Sequence, residues 1–513
     1  MPNVASPELL LAGEHNQSLG VLREYAEFWK IPYSLEQTGQ DPVVFASGDL
    51  PDDAERMRAC IVCPSGPENA RSIAKKLGLG LSLKAGLRRI PVSKGIFASI
   101  NTIIYEFQGP NVETLISGNG KSVLQRVKGT QIHLTCVGLV TEYLRRLYGG
   151  LHDPPSAKFR FVTRMPFSYS TIPVSIRSRL FRSTTGPFEF GEEKFGAIEF
   201  LRAAFLASVS VVAQSPIPRI GFWKQGVSSA VAVSHDVETS QGLRSGARRL
   251  LEVETKLGIR STWNIPSSRY PISKDDLNAI AKWGELGAHD TKHDGRLVLA
   301  DSDGMLERLR ACRRELEFVA GTAVIGFRSP LLQHSRGLLA STHKAGFMFD
   351  SSVPSWERLS PTSFRPHGVG TVFPFWVDGC LELPVSLPQD HQLIRVVGMT
   401  PADAADGMIQ ISKWISGIGG ASVLLVHPDY EFAFPENLTE YERLLHGIIQ
   451  PGSTVMTLGE MAEWWRFRSS AGWKAGDGRA ELRQGNPPDA SSRLEVQLVR
   501  SYGEDGFEVE MLN

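Results

Sequence analysis

Three polar clusters between residues 235 and 429 of this 513-residue chain combine residue types that move protons or hold metal ions. The first, His235-Asp236-Val237-Glu238, closes the apolar run SAVAVS. Alternate side chains of an extended strand point the same way, so Asp236 and Glu238 share one pocket. Two carboxylates are costly to bury together unless a cation neutralises them, although a solvated strand end would also carry them. The second cluster pairs His289 with His293, flanked by Gly287, Asp290 and Asp294. On a helical turn this spacing sets both imidazoles on one face, where one metal ion can take them. With 12 histidines in the chain, a pair at this spacing also arises by chance. The third cluster, His427-Pro428-Asp429, ends the apolar run SVLLV, where a histidine serves either proton transfer or a satisfied core. Between the last two, Phe327-Arg328-Ser329-Pro330 offers an arginine that can pair a carboxylate.

The elements that must position these groups follow a regular grammar. From Val227, strand patterns (SAVAVSHDVE, IRSTWNIP, VIGFRSP, ASVLLVHPDY) alternate with helical ones (GLRSGARRLLEVETKLG, LNAIAKWGELG, MLERLRACRRELEFVAG, LGEMAEWWRFR). Each polar cluster falls where a strand ends. Repeated β/α units predict a barrel, whose chemistry belongs at the C-terminal strand ends. Upstream, VVFAS, ACIVC and IHLTCVG alternate with helical stretches and predict a smaller α/β domain over residues 1–150. Residues 151–215 read as a basic, aromatic linker and a helix, 216–470 as the catalytic domain, and 471–513 as a short β-rich appendage. The fold class expected is therefore α/β throughout.

Taken in order, SHDVE, HDTKH, FRSP and LVHP resemble the polysaccharide deacetylase domain of carbohydrate esterase family 4. The resemblance runs over roughly residues 216–468 and takes in IPRIGFWKQG, FMFDSS, LELPVSLPQD and TLGEMAEWW. It implies a distorted (β/α) barrel and one divalent metal ion, zinc in most of that family. By the same resemblance Asp236 is the general base, and Glu238, His289 and His293 are metal ligands. Arg328 orients the base, His427 is the general acid, and the Leu331 N–H binds an oxyanion. Two positions depart from the common pattern: the second acid is Glu238, one residue beyond the adjacent aspartate, and Leu331 stands where tyrosine is usual. The implied reaction is hydrolysis of an N-acetyl or other acyl group on a carbohydrate or glycoconjugate. A silent carbohydrate-binding relative, for which Glu238 argues, and an allantoinase-like amide hydrolase use the same barrel.

Lys plus Arg and Asp plus Glu number 55 each, so the chain has no net field to attract nucleic acid. No run approaches a membrane span, and the N-terminus lacks the basic-then-apolar order of a signal peptide, which predicts a cytoplasmic protein. Five scattered cysteines make no disulfide framework, and Cys60 and Cys63 read as residues of a buried strand. The turn Pro64–Gly66 (PSG) reads as a plain turn rather than a phosphate cradle. Residues 154–188 hold Lys158 and Arg160, Arg164, Arg177, Arg179 and Arg182 among aromatics and no acid. They read as a solvated linker or as peripheral contact with an anionic membrane.

Overall fold

In the computed structural model the described chain excludes residues 1–2, 6–7, 37–41, 55–56, 165–187, 214, 477–478, 490–491 and 513. Arg177, Arg179 and Arg182 of the expected membrane contact lie outside the described residues. Its beginning forms the helix Ala157–Arg164, where Phe161 is exposed but Phe159 is buried rather than interfacial.

Chain contacts form two compact units: Met1–Gly149 with Glu192–Gly226 and Arg466–Asn513, and Gly150–Gly191 with Val227–Trp465. This division differs from the consecutive domains expected from sequence. In the first unit the strands Leu9–Gly13, Val43–Ser47, Ala59–Cys63 and Ile132–Thr135 run parallel, and the hairpin Val112–Gly118/Lys121–Val127 extends the sheet. Ala59–Cys63 is buried at every position, all five cysteines are unpaired, and burial pushes the Cys60 thiol up to about 12. Pro67 opens the helix Pro67–Lys76 after the Pro64–Gly66 turn. The C-terminal hairpin Leu494–Gly503/Gly506–Leu512 is no free appendage, because Leu494–Gly503 pairs antiparallel with Ile217–Lys224. A lone hairpin is marginal in water, and this third strand completes it.

The second unit is built on a largely parallel sheet. Its strands are β1 (Ser229–Asp236), β2 (Thr262–Ile265), β3 (Glu285–Ala288), β4 (Gly326–Phe327), β5 (Phe349–Asp350), β6 (Phe375–Val377), β7 (Cys380–Glu382), β8 (Ala421–Val426) and β9 (Ser453–Val455). The spatial order is β6-β7-β5-β4-β3-β2-β1-β8, with β9 on β1 and only β6 antiparallel. Every position of β1 and β8 is buried, which explains their unbroken apolar runs. The ends of this sheet approach each other through the stretch after β7. Leu383 N donates to Asp350 O (2.8 Å), Ser355 N to Val385 O (2.9 Å), and Leu387 N to Val423 O (3.2 Å). The sheet thus curls round, with full ladders on one side and single hydrogen bonds on the other. Helices α1 (Ala247–Lys256), α2 (Lys274–Ala281), α3 (Ser302–Ala320), α4 (Arg336–Lys344), α5 (Pro401–Gly417) and α6 (Leu438–Ile448) connect successive strands. No helix among the described residues is long and apolar enough to cross a membrane.

Candidate active site

Parallel register brings the polar clusters to one edge. Asp236 stands opposite Asn264, His235 opposite Val426, and Ala288 opposite Phe327, so Asp236, His427, His289 and Arg328 all emerge at C-terminal strand ends. His235 takes no part. Its ring stacks on Trp263 (3.9 Å between centroids), and its nitrogens lie 2.9 Å from Val426 O and 2.7 Å from Glu254 Oε1. It ties β1 to β8 and α1, while the next residue turns the other way into the site, as strand alternation requires.

Asp236 is 3% exposed and held on one oxygen. Asn264 Nδ2 donates to Oδ1 at 2.9 Å and Arg328 Nη1 at 3.4 Å. Arg328 is itself fixed by Ser351 O (2.6 Å), Ser351 Oγ (2.7 Å) and Ser234 Oγ (2.9 Å). Gly287 makes room for this: a Cβ there would stand 2.2 Å from Asn264 Oδ1. Burial opposes charge on Asp236, but His289, Arg328, His427 and Asn264 together hold its carboxyl below the usual range.

The histidine pair sits on a loop, not the helical turn expected from its spacing. Asp290 and His293 have φ of 66° and 51°, and no helix could contain two left-handed residues. The loop is pinned instead by Arg308, whose guanidinium bonds both Asp290 oxygens and Asp294 Oδ1 at 2.5 Å. Even so, the rings meet, 4.8 Å between centroids. His289 Nδ1 lies 2.9 Å from Arg328 O, leaving Nε2 turned to Asp236 Oδ2 at 3.8 Å. His293 Nε2 is buried, 3.5 Å from Glu238 Oε1, with no hydrogen-bond partner among the described residues. The second Glu238 oxygen accepts from Tyr430 Oη at 2.6 Å.

Imidazole and carboxylate are the donor types a divalent cation such as zinc takes, and His293 Nε2 makes no hydrogen bond among the described residues. Burial lowers both imidazoles, His293 to about 3, which favours the neutral form that metal ligation requires. Burial opposes charge on Glu238 too, yet His293, His427 and Tyr430 bring it down to about 2. One local contact runs against the fit. Arg269 Nη1 lies 2.7 Å from His293 Nδ1, and a guanidinium can only donate, which puts the neutral ring's proton on Nε2. Arg269 must release Nδ1 before Nε2 can take an ion.

His427 faces this set on a partner that sequence reasoning missed. Asp390, fully buried, lies 2.6 Å from His427 Nδ1 through Oδ1 and accepts His427 N at 3.0 Å through Oδ2. Burial alone would lower the imidazole, but Asp390, Glu238 and Asp236 raise it to about 10. Tyr430, Asn264 and Arg269 were missed as well. Tyr430 follows His427-Pro428-Asp429 directly, and Asp390 ends the LELPVSLPQD segment, so both carried a local signal. Leu331 lies three residues beyond Arg328 in a turn where it and Leu332 have φ of 61° and 49°, rare for leucine.

No family model matches the chain. It is 28% identical over 113 residues to the peptidoglycan deacetylase-like protein FGM2 of Gibberella zeae, a match spanning 21% of this chain and 33% of that relative. Among solved structures, a putative polysaccharide deacetylase from Mycobacterium smegmatis aligns with a TM-score of 0.41 and 22% identity, over 49% of this chain and 93% of that one. Puue allantoinase aligns with a TM-score of 0.36 and 15% identity, over 48% and 92%. The likeness to a peptidoglycan deacetylase-like protein is of the kind that the motifs led one to expect.

Proposed function

We propose that the second unit is a metal-dependent hydrolase that removes an acetyl group from the nitrogen of an amino sugar in a carbohydrate or glycoconjugate. The observation that supports this best is the opposed pair Asp236 and His427, one held as carboxylate by Arg328 and Asn264, the other held as imidazolium by Asp390. A base and an acid facing one pocket are what amide hydrolysis needs, because the attacking water must lose a proton and the departing amine must gain one. Glu238, His289 and His293 would hold the cation, zinc by the donor set, and when bound it supplies Lewis-acid polarisation. Asp236 takes the proton of water as its oxygen attacks the acyl carbon. The Leu331 N–H donates to the oxygen of the acyl group as charge gathers there. His427 passes its Nε2 proton to the leaving nitrogen, and the Asp390 carboxylate stays in place to steady the ring.

Asp236→Asn tests the assignment. It keeps the shape and the Arg328 contact, so metal content should stay near that of the wild type while turnover on N-acetylated sugars falls about 10²- to 10⁴-fold. Loss of bound metal together with turnover would make Asp236 a ligand and overturn its role as base.

A further inference from the structure

Away from the acid–base pair, three loops of the same unit meet in a second buried polar cluster. Asp153, His334 and His367 each present a ligand atom, and these atoms lie within 4.8 Å of one another. All three are buried, 5%, 1% and 8% exposed. Asp153 follows Gly150, His334 follows the Leu331 turn, and His367 pairs through its backbone with Glu357. The two imidazoles stack, 5.4 Å between centroids and 10° between planes.

The hydrogen-bond pattern asks for a cation. His367 Nε2 lies 3.4 Å from Glu357 Oε2, and Glu357 is held in turn by Gln389 Nε2 at 2.8 and 2.9 Å. With its proton on that side, the neutral ring turns the Nδ1 lone pair toward Asp153 Oδ2, 3.9 Å away. Nδ1 is buried and has no hydrogen-bond partner among the described residues. A lone pair facing a carboxylate oxygen in the interior is repulsive unless a proton or a metal ion lies between them. His334 repeats the problem. Nδ1 is 2.8 Å from Leu332 O and Nε2 is 3.1 Å from Gly150 O, and a neutral ring has one proton for two acceptors. Ligands on a tetrahedral zinc ion, at bonds of about 2.1 Å, stand about 3.4 Å apart, between the 3.1 Å of His334 to Gly150 and the 3.9 Å of His367 to Asp153. A carboxylate on one imidazole nitrogen, as Glu357 on His367 Nε2, with the other nitrogen left for the ion, is also how proteins orient an imidazole ligand.

We propose that Asp153, His334 and His367 bind a second divalent cation of the zinc type, with the Gly150 carbonyl able to complete four ligands. The site is separate from Glu238, His289 and His293. It ties together the segment after Gly150, the turn that carries Leu331 and the Glu357–His367 loop. Through Glu357 and Gln389 it also braces the residue next to Asp390, so its role is to hold the rim of the pocket.

The test is zinc titration of the chelator-stripped full chain against a chromophoric competitor, with circular dichroism as the check on folding. Wild type is expected to bind two ions, His289→Ala/His293→Ala one, and His334→Gln/His367→Gln one. Asp153→Asn should weaken the second site by at least about tenfold. A folded His289→Ala/His293→Ala variant that binds no zinc overturns the proposal, and this result does not depend on the glutamine variants folding. Two ions in wild type, with neither affected by Asp153→Asn or by His334→Gln/His367→Gln, overturns it as well. One ion in wild type that survives His289→Ala/His293→Ala and is weakened by Asp153→Asn supports this site and removes the metal from the proposed function.

Discussion

His427 keeps its proton chiefly through one hydrogen-bonded neighbour, Asp390, with Glu238 and Asp236 adding to the effect. Burial strips water from both His427 and Asp390, so a bond of 2.6 Å between them acts at low dielectric, where charge pairing is strong. The folded imidazole is raised to about 10, so the protonated form is stabilised throughout the neutral range and that stabilisation is lost as pH rises through the raised value. Asp390→Asn keeps the volume and removes the charge. The basic limb of the kcat/KM profile should move down by at least about one pH unit, equivalent to about 1.4 kcal/mol of lost pairing. A basic limb that does not move would show that another group donates the proton. Arg269 makes the complementary case, since it holds His293 in the tautomer that cannot ligate and adds a positive charge beside it. Arg269→Gln should tighten zinc binding at Glu238, His289 and His293 by about tenfold, the scale on which outer hydrogen-bond partners act. Equal or weaker zinc affinity in a competition titration would show that the guanidinium is no obstacle.

Among the elements, strands were far easier to read than loops. Apolar runs such as SAVAVS and SVLLV can only be buried β-strands or buried helix turns, and the polar residues that close them had to sit at strand ends. Asp236, Arg328 and His427 were therefore legible, and so was the side of the sheet on which they gather. The His289–His293 loop was not, because its shape comes from Arg308, which reaches back from α3 to Asp290 and Asp294. Asp390 was hidden for a similar reason: it lies 37 residues from His427 and meets it only once the chain curls past β7. Arg308→Leu tests how far the loop relies on its pin. Asp290 is 1% exposed and would be left unpaired, while Arg308 keeps 19% exposure, so the cost should be roughly 3 kcal/mol, the lower end for a broken buried pair. Urea unfolding should read this loss, and zinc affinity should fall with it. Full zinc affinity in the variant would mean that His289 and His293 hold their places without the clamp.

At the scale of the whole molecule, the first unit is assembled from three separated stretches of chain, and the last of them carries structural weight. Ile217, Pro218, Arg219 and Ile220 pair with Val499, Leu498, Gln497 and Val496. Beneath them Ile220, Ala471, Leu482 and Val496 form a small apolar cluster. Leu482, Val496, Leu498 and Val499 are all below a tenth exposed. Burying an aliphatic side chain contributes about 1.5–3 kcal/mol, so these four are worth on the order of 6–12 kcal/mol before entropy is counted. That is comparable to the whole stability of a domain, about 5–15 kcal/mol. A chain ending at Ala471 should therefore lose hydrogen-exchange protection across Ile217–Lys224, whose edge is left without a partner strand. Protection across Ser229–Asp236 should persist, because β1 draws its hydrogen bonds from β2, β8 and β9. If Ile217–Lys224 stays protected in the shortened chain, the C-terminal strands are an appendage after all. If both stretches lose protection together, the two units fold as one cooperative body.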